Sequence, residues 1–170
     1  MQVVHAVAAD ARAIAEIQVS SWREAYASIV PSDYLASMSV ERREVMWSEC
    51  IAKGIPEVLV ASEAGVVCGW LSFGPCRDEG APGATAEIWA LYVSPSSWSS
   101  GAGRLLWRHA KALMRAQGFT ACSLWVFPQN DRAITFYRKA GFVHDGSAPQ
   151  HFELGGAPLH EVRWVTRIDE

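Results

Sequence analysis

The sequence predicts an α+β domain built on one mixed, mostly antiparallel twisted sheet with helices on both faces. Three observations carry this. Helical periods dominate up to residue 53, and β-rich runs take over from Glu57. Residues 57–62 and 66–74 flank Glu63-Ala64-Gly65 and read as an antiparallel hairpin. Residues 84–127 read strand–helix–strand, which requires two parallel strands joined by a right-handed crossover.

The elements follow in order. Residues 2–7 form a first strand. Asp10 is placed to cap a helix running to about Tyr26. Pro31 breaks the chain, and Ser32 or Asp33 starts a short helical turn through Leu35 and Met38. Ser39 caps a helix over 40–53, which Gly54 and Pro56 end. After the hairpin, Pro75, Gly80, Pro82 and Gly83 make a loop. A strand covers 84–93, a helix 101–117 stopped by Gly118, and a strand 120–127. A helix covers 131–140 stopped by Gly141, and a strand 142–147. Gly155-Gly156 turns the chain into a last strand over 160–168. No domain boundary or repeat is visible, so residues 1–170 are expected to be a single domain.

The chain has 170 residues, half of them hydrophobic, enough for one sizeable core. A net charge of −3 argues against a general affinity for nucleic acid. Cys50, Cys68, Cys76 and Cys122 show no paired spacing and read as reduced thiols of a cytoplasmic protein. The first residues lack the pattern of a signal peptide, and no apolar stretch is long enough to span a membrane. His5, His109, His144, His151 and His160 have no metal-ligand spacing, so no metal is assigned.

The most informative segment is 91–106. The apolar strand ends at Pro95, Gly101-Ala102-Gly103 follows, and a helix begins at once. This layout points backbone N–H groups at the positive end of a helix toward one spot, which suits a phosphate or pyrophosphate. A dinucleotide fold would want a third glycine and an acidic residue about 20 positions on. Neither is present, since no Asp or Glu occurs between Arg104 and Asp131.

Two motifs and a strand then resemble the GCN5-related N-acetyltransferase superfamily across nearly the full chain. Leu91-Tyr92-Val93-x-Pro95 through Gly101-Ala102-Gly103 resembles its pyrophosphate loop. Asn130-x-x-Ala133-x-x-Phe136-Tyr137-x-Lys139-x-Gly141-Phe142 resembles its second cofactor motif and fixes seven residues over thirteen positions. Ala86-Glu87-Ile88 resembles the stretch that often carries a catalytic carboxylate. The chain departs from the family at Trp98, where Gln or Arg is usual, and at Ser99, where Gly is frequent.

The resemblance implies an acetyl-CoA-dependent N-acetyltransferase, with acetyl-CoA as acetyl donor and a primary amine of a small molecule or peptide attacking directly in a ternary complex. A non-catalytic acyl-CoA-binding or sensory domain is the competing reading, and a homodimer is a family expectation. The resemblance also implies that the central parallel strands splay at a bulge near Ala90–Tyr92, so that pantetheine enters the gap. The N–H of Leu91 then meets the acetyl carbonyl, and Val93 bonds the pantetheine arm. Ser99, Ser100, Gly101, Ala102, Gly103 and Arg104 hold the diphosphate, while Asn130 and Ala133 border the arm. Tyr137 donates a proton to the departing thiolate; a core tyrosine is the alternative. Glu87, nominally on one strand face with Leu91, takes the amine proton, or is a salt-bridged structural residue, or is a substrate-binding charge without proton transfer. Trp22, Tyr26 and Trp47 either line an aromatic acceptor pocket or belong to the helix core.

Overall fold

The computed structural model describes residues 1–168. Eight strands and five helices follow the expected order: β1 Gln2–His5, α1 Ala11–Ala25, α2 Ser32–Ser37, α3 Val40–Lys53, β2 Glu57–Glu63, β3 Val66–Pro75, β4 Thr85–Val93, α4 Ala102–Ala116, β5 Ala121–Val126, α5 Asp131–Lys139, β6 Val143–His144, β7 Gln150–Leu154 and β8 Ala157–Arg167. The sheet runs β1-β2-β3-β4-β5-β8-β6, with β7 paired to the first half of β8. Only β4 and β5 are parallel.

Local chemistry explains several boundaries. The Ser39 hydroxyl accepts from the Arg42 N–H, and Gly54 closes α3 in a left-handed conformation. The Asn130 side chain accepts from the Ala133 N–H at 3.2 Å and caps α5. Asp10 differs from its expected role. Its carboxylate accepts from the Val7 N–H at 2.8 Å, upstream of the helix, and closes a short 3-10 turn before α1. β6 is shorter than the expected strand over 142–147, and β7 is an added strand that the sequence does not predict, short and mostly exposed.

Two helical layers sandwich the sheet. On one side, α4 buries Leu106, Trp107, Ala110 and Met114 against Leu71, Phe73, Ile88, Cys122 and Leu124. On the other, α1 and α3 bury Ile14, Ile17 and Trp47 against Val58, Val60 and Trp70. A third cluster joins Val19, Tyr26, Val30, Leu35 and Met38 to Phe127.

The seam between β4 and β5 positions the site. The strands pair at Thr85↔Ala121, Ala86↔Cys122 and Glu87↔Ser123, and at no residue beyond. Against β3, Phe73 faces Ile88 and Ser72 faces Ala90, so Trp89 is an extra residue in β4. The bulge therefore falls one residue before the expected stretch. It turns the rest of β4 by one position. Ala86, Ile88, Leu91 and Val93 pack toward α4, whereas Ala90 and Tyr92 pack toward α1 and α3. Alternation from Ala86 and Ile88 sets Glu87 on the α1 face. The expectation that Glu87 and Leu91 share a face is thus overturned by the bulge.

Candidate active site

Beyond Glu87 the two strands part and leave a cavity of about 650 Å³, within the size range of small-molecule sites. Its walls include Tyr26 just past α1, Trp89 to Val93 of β4, Leu124 to Val126 of β5, Phe136 and Tyr137 of α5, and Glu161 of β8.

The exposed edge of β4 follows from sheet geometry. The Ser94 N–H donates to the Cys68 carbonyl at 2.9 Å. Hydrogen-bonded and non-bonded pairs alternate in an antiparallel ladder. The main-chain groups of Val93 and Leu91, opposite Gly69 and Leu71, therefore turn away from β3 and into the gap. The Val93 carbonyl is already taken: it accepts from Trp98 Nε1 at 2.9 Å and from Ser21 Oγ at 3.1 Å. Only the N–H of Val93 is left for a ligand, which narrows its expected role. Leu91 keeps both groups toward the gap.

The loop ahead of α4 has the backbone of an anion nest. Ser99 and Gly101 have φ of +65° and +93°, and Gly101 is the left-handed residue from which α4 springs. The Leu105 N–H donates to the Gly101 carbonyl, so the amides of Gly103 and Arg104 precede the first intrahelical bond. Ser99, Gly101 and Ala102 border the cavity. The Ser100 hydroxyl instead accepts from the Ala102 N–H at 3.3 Å. Gly103 has a packing reason: a Cβ there would meet the Phe136 ring at 3.3 Å. Trp98 ties the loop to β4. Its indole anchors to Val93, and the Arg132 guanidinium lies 4.0 Å over its ring. The Arg104 guanidinium lies beside Gly101.

Tyr137 is packed in the core and also borders the cavity. Its ring packs in the α4 cluster against Phe136 and Phe142, at 5.2 and 5.5 Å between centroids. The residue also borders the cavity, and among the described residues its hydroxyl has no hydrogen-bond partner. Burial first, then neighbouring Tyr92, Cys122 and Glu161, hold this phenol protonated well above its ordinary range. Phe136 borders the cavity too, so the adjacent rings do not divide into core and cleft.

Glu87 is committed elsewhere. It is 2% exposed, and its Oε2 accepts from the Arg77 backbone N–H at 2.9 Å and from Arg77 Nε at 3.1 Å. Arg77 Nη2 donates to Oε1, and the guanidinium stacks over Trp89. The loop 76–84 is held further by Asp78, which accepts from Trp125 Nε1 and from Arg163. The carboxylate thus ties this loop to β4, and Glu87 does not border the cavity.

The aromatic residues separate. Tyr26 faces the cavity, its hydroxyl 3.5 Å from that of Tyr92, which accepts from Trp22 Nε1 at 2.9 Å. Trp22 props Tyr92 and packs edge-on against Tyr26 at 5.0 Å. Trp47 is a core residue, contrary to the acceptor-pocket expectation. It is buried against Trp70 at 4.6 Å, and its indole donates to Gln18 at 2.8 Å.

Glu161, an ordinary strand acid in the sequence, stands in the cavity wall. It precedes Val162, the partner of Val126 at the end of β5. No hydrogen bond or ion pair reaches its carboxylate among the described residues. Burial raises its carboxyl above the ordinary range; Arg77 opposes this and Glu87 adds to it. The described residues contain no cluster of His, Cys, Asp and Glu fit to hold a metal, and no helix long and apolar enough to cross a membrane.

Comparison with known proteins agrees with this geometry. The uncharacterised N-acetyltransferase YuaI of Bacillus subtilis is 35% identical over 90% of this chain and 85% of its own. The spermidine N(1)-acetyltransferase of Thermoplasma acidophilum is 25% identical over 78% of this chain and 82% of its own. Among solved structures, YncA of Salmonella typhimurium with its cofactor acetyl-CoA superposes with a TM-score of 0.77 at 26% identity, covering 100% of this chain and 95% of its own. The model of the acetyltransferase (GNAT) family matches residues 13–142. The chain belongs to the GNAT acetyltransferase family.

Proposed function

We propose that this protein moves the acetyl group of acetyl-CoA to a primary amine of a small molecule or peptide, by direct attack in a ternary complex. The observation that carries the reading is the open β4–β5 seam, with main-chain donors on one wall and the Tyr137 phenol on the other. Pantetheine entering this gap bonds to the turned-out edge of β4 much as an added strand would. The N–H of Leu91 then donates to the thioester carbonyl as charge develops there. Tyr137 protonates the thiolate as the C–S bond breaks. The amides of Gly103 and Arg104 and the nest at Ser99 to Ala102 receive the diphosphate. Arg132, held over Trp98, supplies a hydrogen-bond donor and positive charge in place of the side chain that Gln or Arg would bring at position 98.

Direct attack is favoured because no cysteine borders the cavity. Cys122 is fully buried, and that burial pushes its thiol far up. The test is incubation with acetyl-CoA and a panel of primary amines that includes spermidine, followed by mass spectrometry of amine and protein. Acetylated amine, free CoA and unmodified protein are expected. Tight acetyl-CoA binding without acetylation of any amine would replace this reading with a sensor. An acetylated protein intermediate would overturn the direct route.

A further inference from the structure

We propose that Glu161 receives the ammonium group of the acceptor and takes its proton before acetyl transfer. This rests on the acetyltransferase reading above and adds its acceptor site. Three observations converge. Glu161 lies mid-way along β8, just before Val162, which pairs with Val126 at the end of β5, and so beyond the last paired residues of β4 and β5 where the seam is open. It borders the same cavity as Tyr137, and its charge is felt by Tyr26, Tyr92 and Tyr137. Its carboxylate has no partner among the described residues, which a partly buried charge tolerates only where water or a ligand supplies one.

The surroundings define the ligand class. Tyr26, Trp89, Tyr92 and Trp125 wall the cavity with Glu161, an arrangement that attracts ammonium by charge and by ring faces; the second bordering acid, Asp131, stands at the start of α5 beside Arg132. The cations bordering the cavity, Arg132 and Lys139, lie on α5. Arg77 is engaged by Glu87. A carboxylate next to the acceptor nitrogen finds no free cation at this end and meets Glu161 instead. The acceptor is therefore a primary amine without an adjacent carboxylate.

The protons balance. R–NH3+ gives one proton to Glu161, and the freed lone pair forms the N–C bond. The C–S bond breaks and the thiolate takes the Tyr137 proton. The nitrogen loses its second proton, which restores the phenol through solvent. Glu161 returns its own proton to solvent, so one proton is released per turnover.

The test compares wild type, Glu161→Gln and Glu161→Asp with acetyl-CoA and with tyramine, benzylamine, spermidine and tyrosine as acceptors. The titratable groups that share the cavity wall with Glu161 include Tyr26 just past α1, Tyr92 from β4 and Tyr137 from α5, and the charges of Arg77 in the loop and Glu87 in β4 also act on it. Among them, the raised carboxyl of Glu161 governs the acid limb, so kcat/KM of the wild type falls as pH drops through it. Glu161→Gln should lower kcat/KM about a hundredfold or more and abolish that limb, with acetyl-CoA affinity by calorimetry unchanged. Glu161→Asp should restore part of the rate with a displaced limb, a result that stands even if the Gln variant melts early. Tyramine should outrun tyrosine at least about tenfold, the weight of one unfavourable charge contact. An active Glu161→Gln with the wild-type limb overturns the assignment while leaving the acetyltransferase reading intact. Tyrosine matching tyramine overturns the acceptor class. A wild type that acetylates no amine overturns both this assignment and the function beneath it.

Discussion

Glu87 and Glu161 lie on the same face of the sheet, yet the structure treats them oppositely. Glu87 sits where β4 and β5 are still paired, is 2% exposed, and is held through both oxygens by Arg77. Glu161 sits where the strands have parted, borders the cavity and has no partner among the described residues. Burial alone does not mark a working carboxylate. The more buried acid is the one already neutralised by its own chain, and the less buried one is left to a ligand.

The comparison breaks most visibly at Arg77. Arg77→Ala strands Glu87 in the sheet without its counter-charge and should cost about 3 kcal/mol of stability. That is the low end for breaking a buried pair, because the Arg77 side chain is 55% exposed. Thermal or urea melts check this. The folded enzyme should keep its plateau kcat, and its acid limb should move to higher pH, because Arg77 holds the Glu161 carboxyl down. Glu87→Gln should move the limb the other way with its shape kept, because Glu87 holds that carboxyl up. Loss of the limb in Glu87→Gln would return the base role to Glu87.

At the other wall of the cavity, Tyr137→Phe should lower kcat about a hundredfold, the low end for general acid catalysis, with acetyl-CoA affinity nearly unchanged. The ring keeps its contacts with Phe136 and Phe142, so the melting temperature should hold. An unaltered kcat would leave Tyr137 a core residue.

Arg132→Ala should weaken acetyl-CoA binding about tenfold, the scale of one charge-assisted contact, measured by calorimetry at low and high salt. The loss should shrink as salt rises. Unchanged affinity would mean that the stack on Trp98 serves the loop alone.

The smallest effect separates Trp47 from the acceptor site. Trp47→Phe removes the indole donor to the buried Gln18 and should cost about 1–2 kcal/mol of stability without moving the acceptor KM. A changed KM would place Trp47 in contact with the acceptor after all.

Much of this was legible in the sequence because it is local. The caps at Ser39 and Asn130, the left-handed stop at Gly54 and the strand–helix–strand run from 84 to 127 each depend on neighbours a few residues apart. What escaped depends on pairing between distant strands. The bulge at Trp89 is a register shift against β3, and no property of β4 alone sets its position. It moved Glu87 and Leu91 to opposite faces. Glu161 reads as an ordinary acid in an alternating strand; only the triple register of β4, β5 and β8 brings it to the open seam. Asp10 had the right residue type for a helix cap, but a competing N–H upstream claimed its carboxylate.

The account turns on where the thioester lies, and a crystal structure with acetyl-CoA measures that directly. It predicts the pantetheine arm between β4 and β5, the acetyl carbonyl about 2.9 Å from the Leu91 N–H, and the sulfur within reach of the Tyr137 hydroxyl. Acetyl-CoA bound outside this seam, or a sulfur remote from Tyr137, would contradict it.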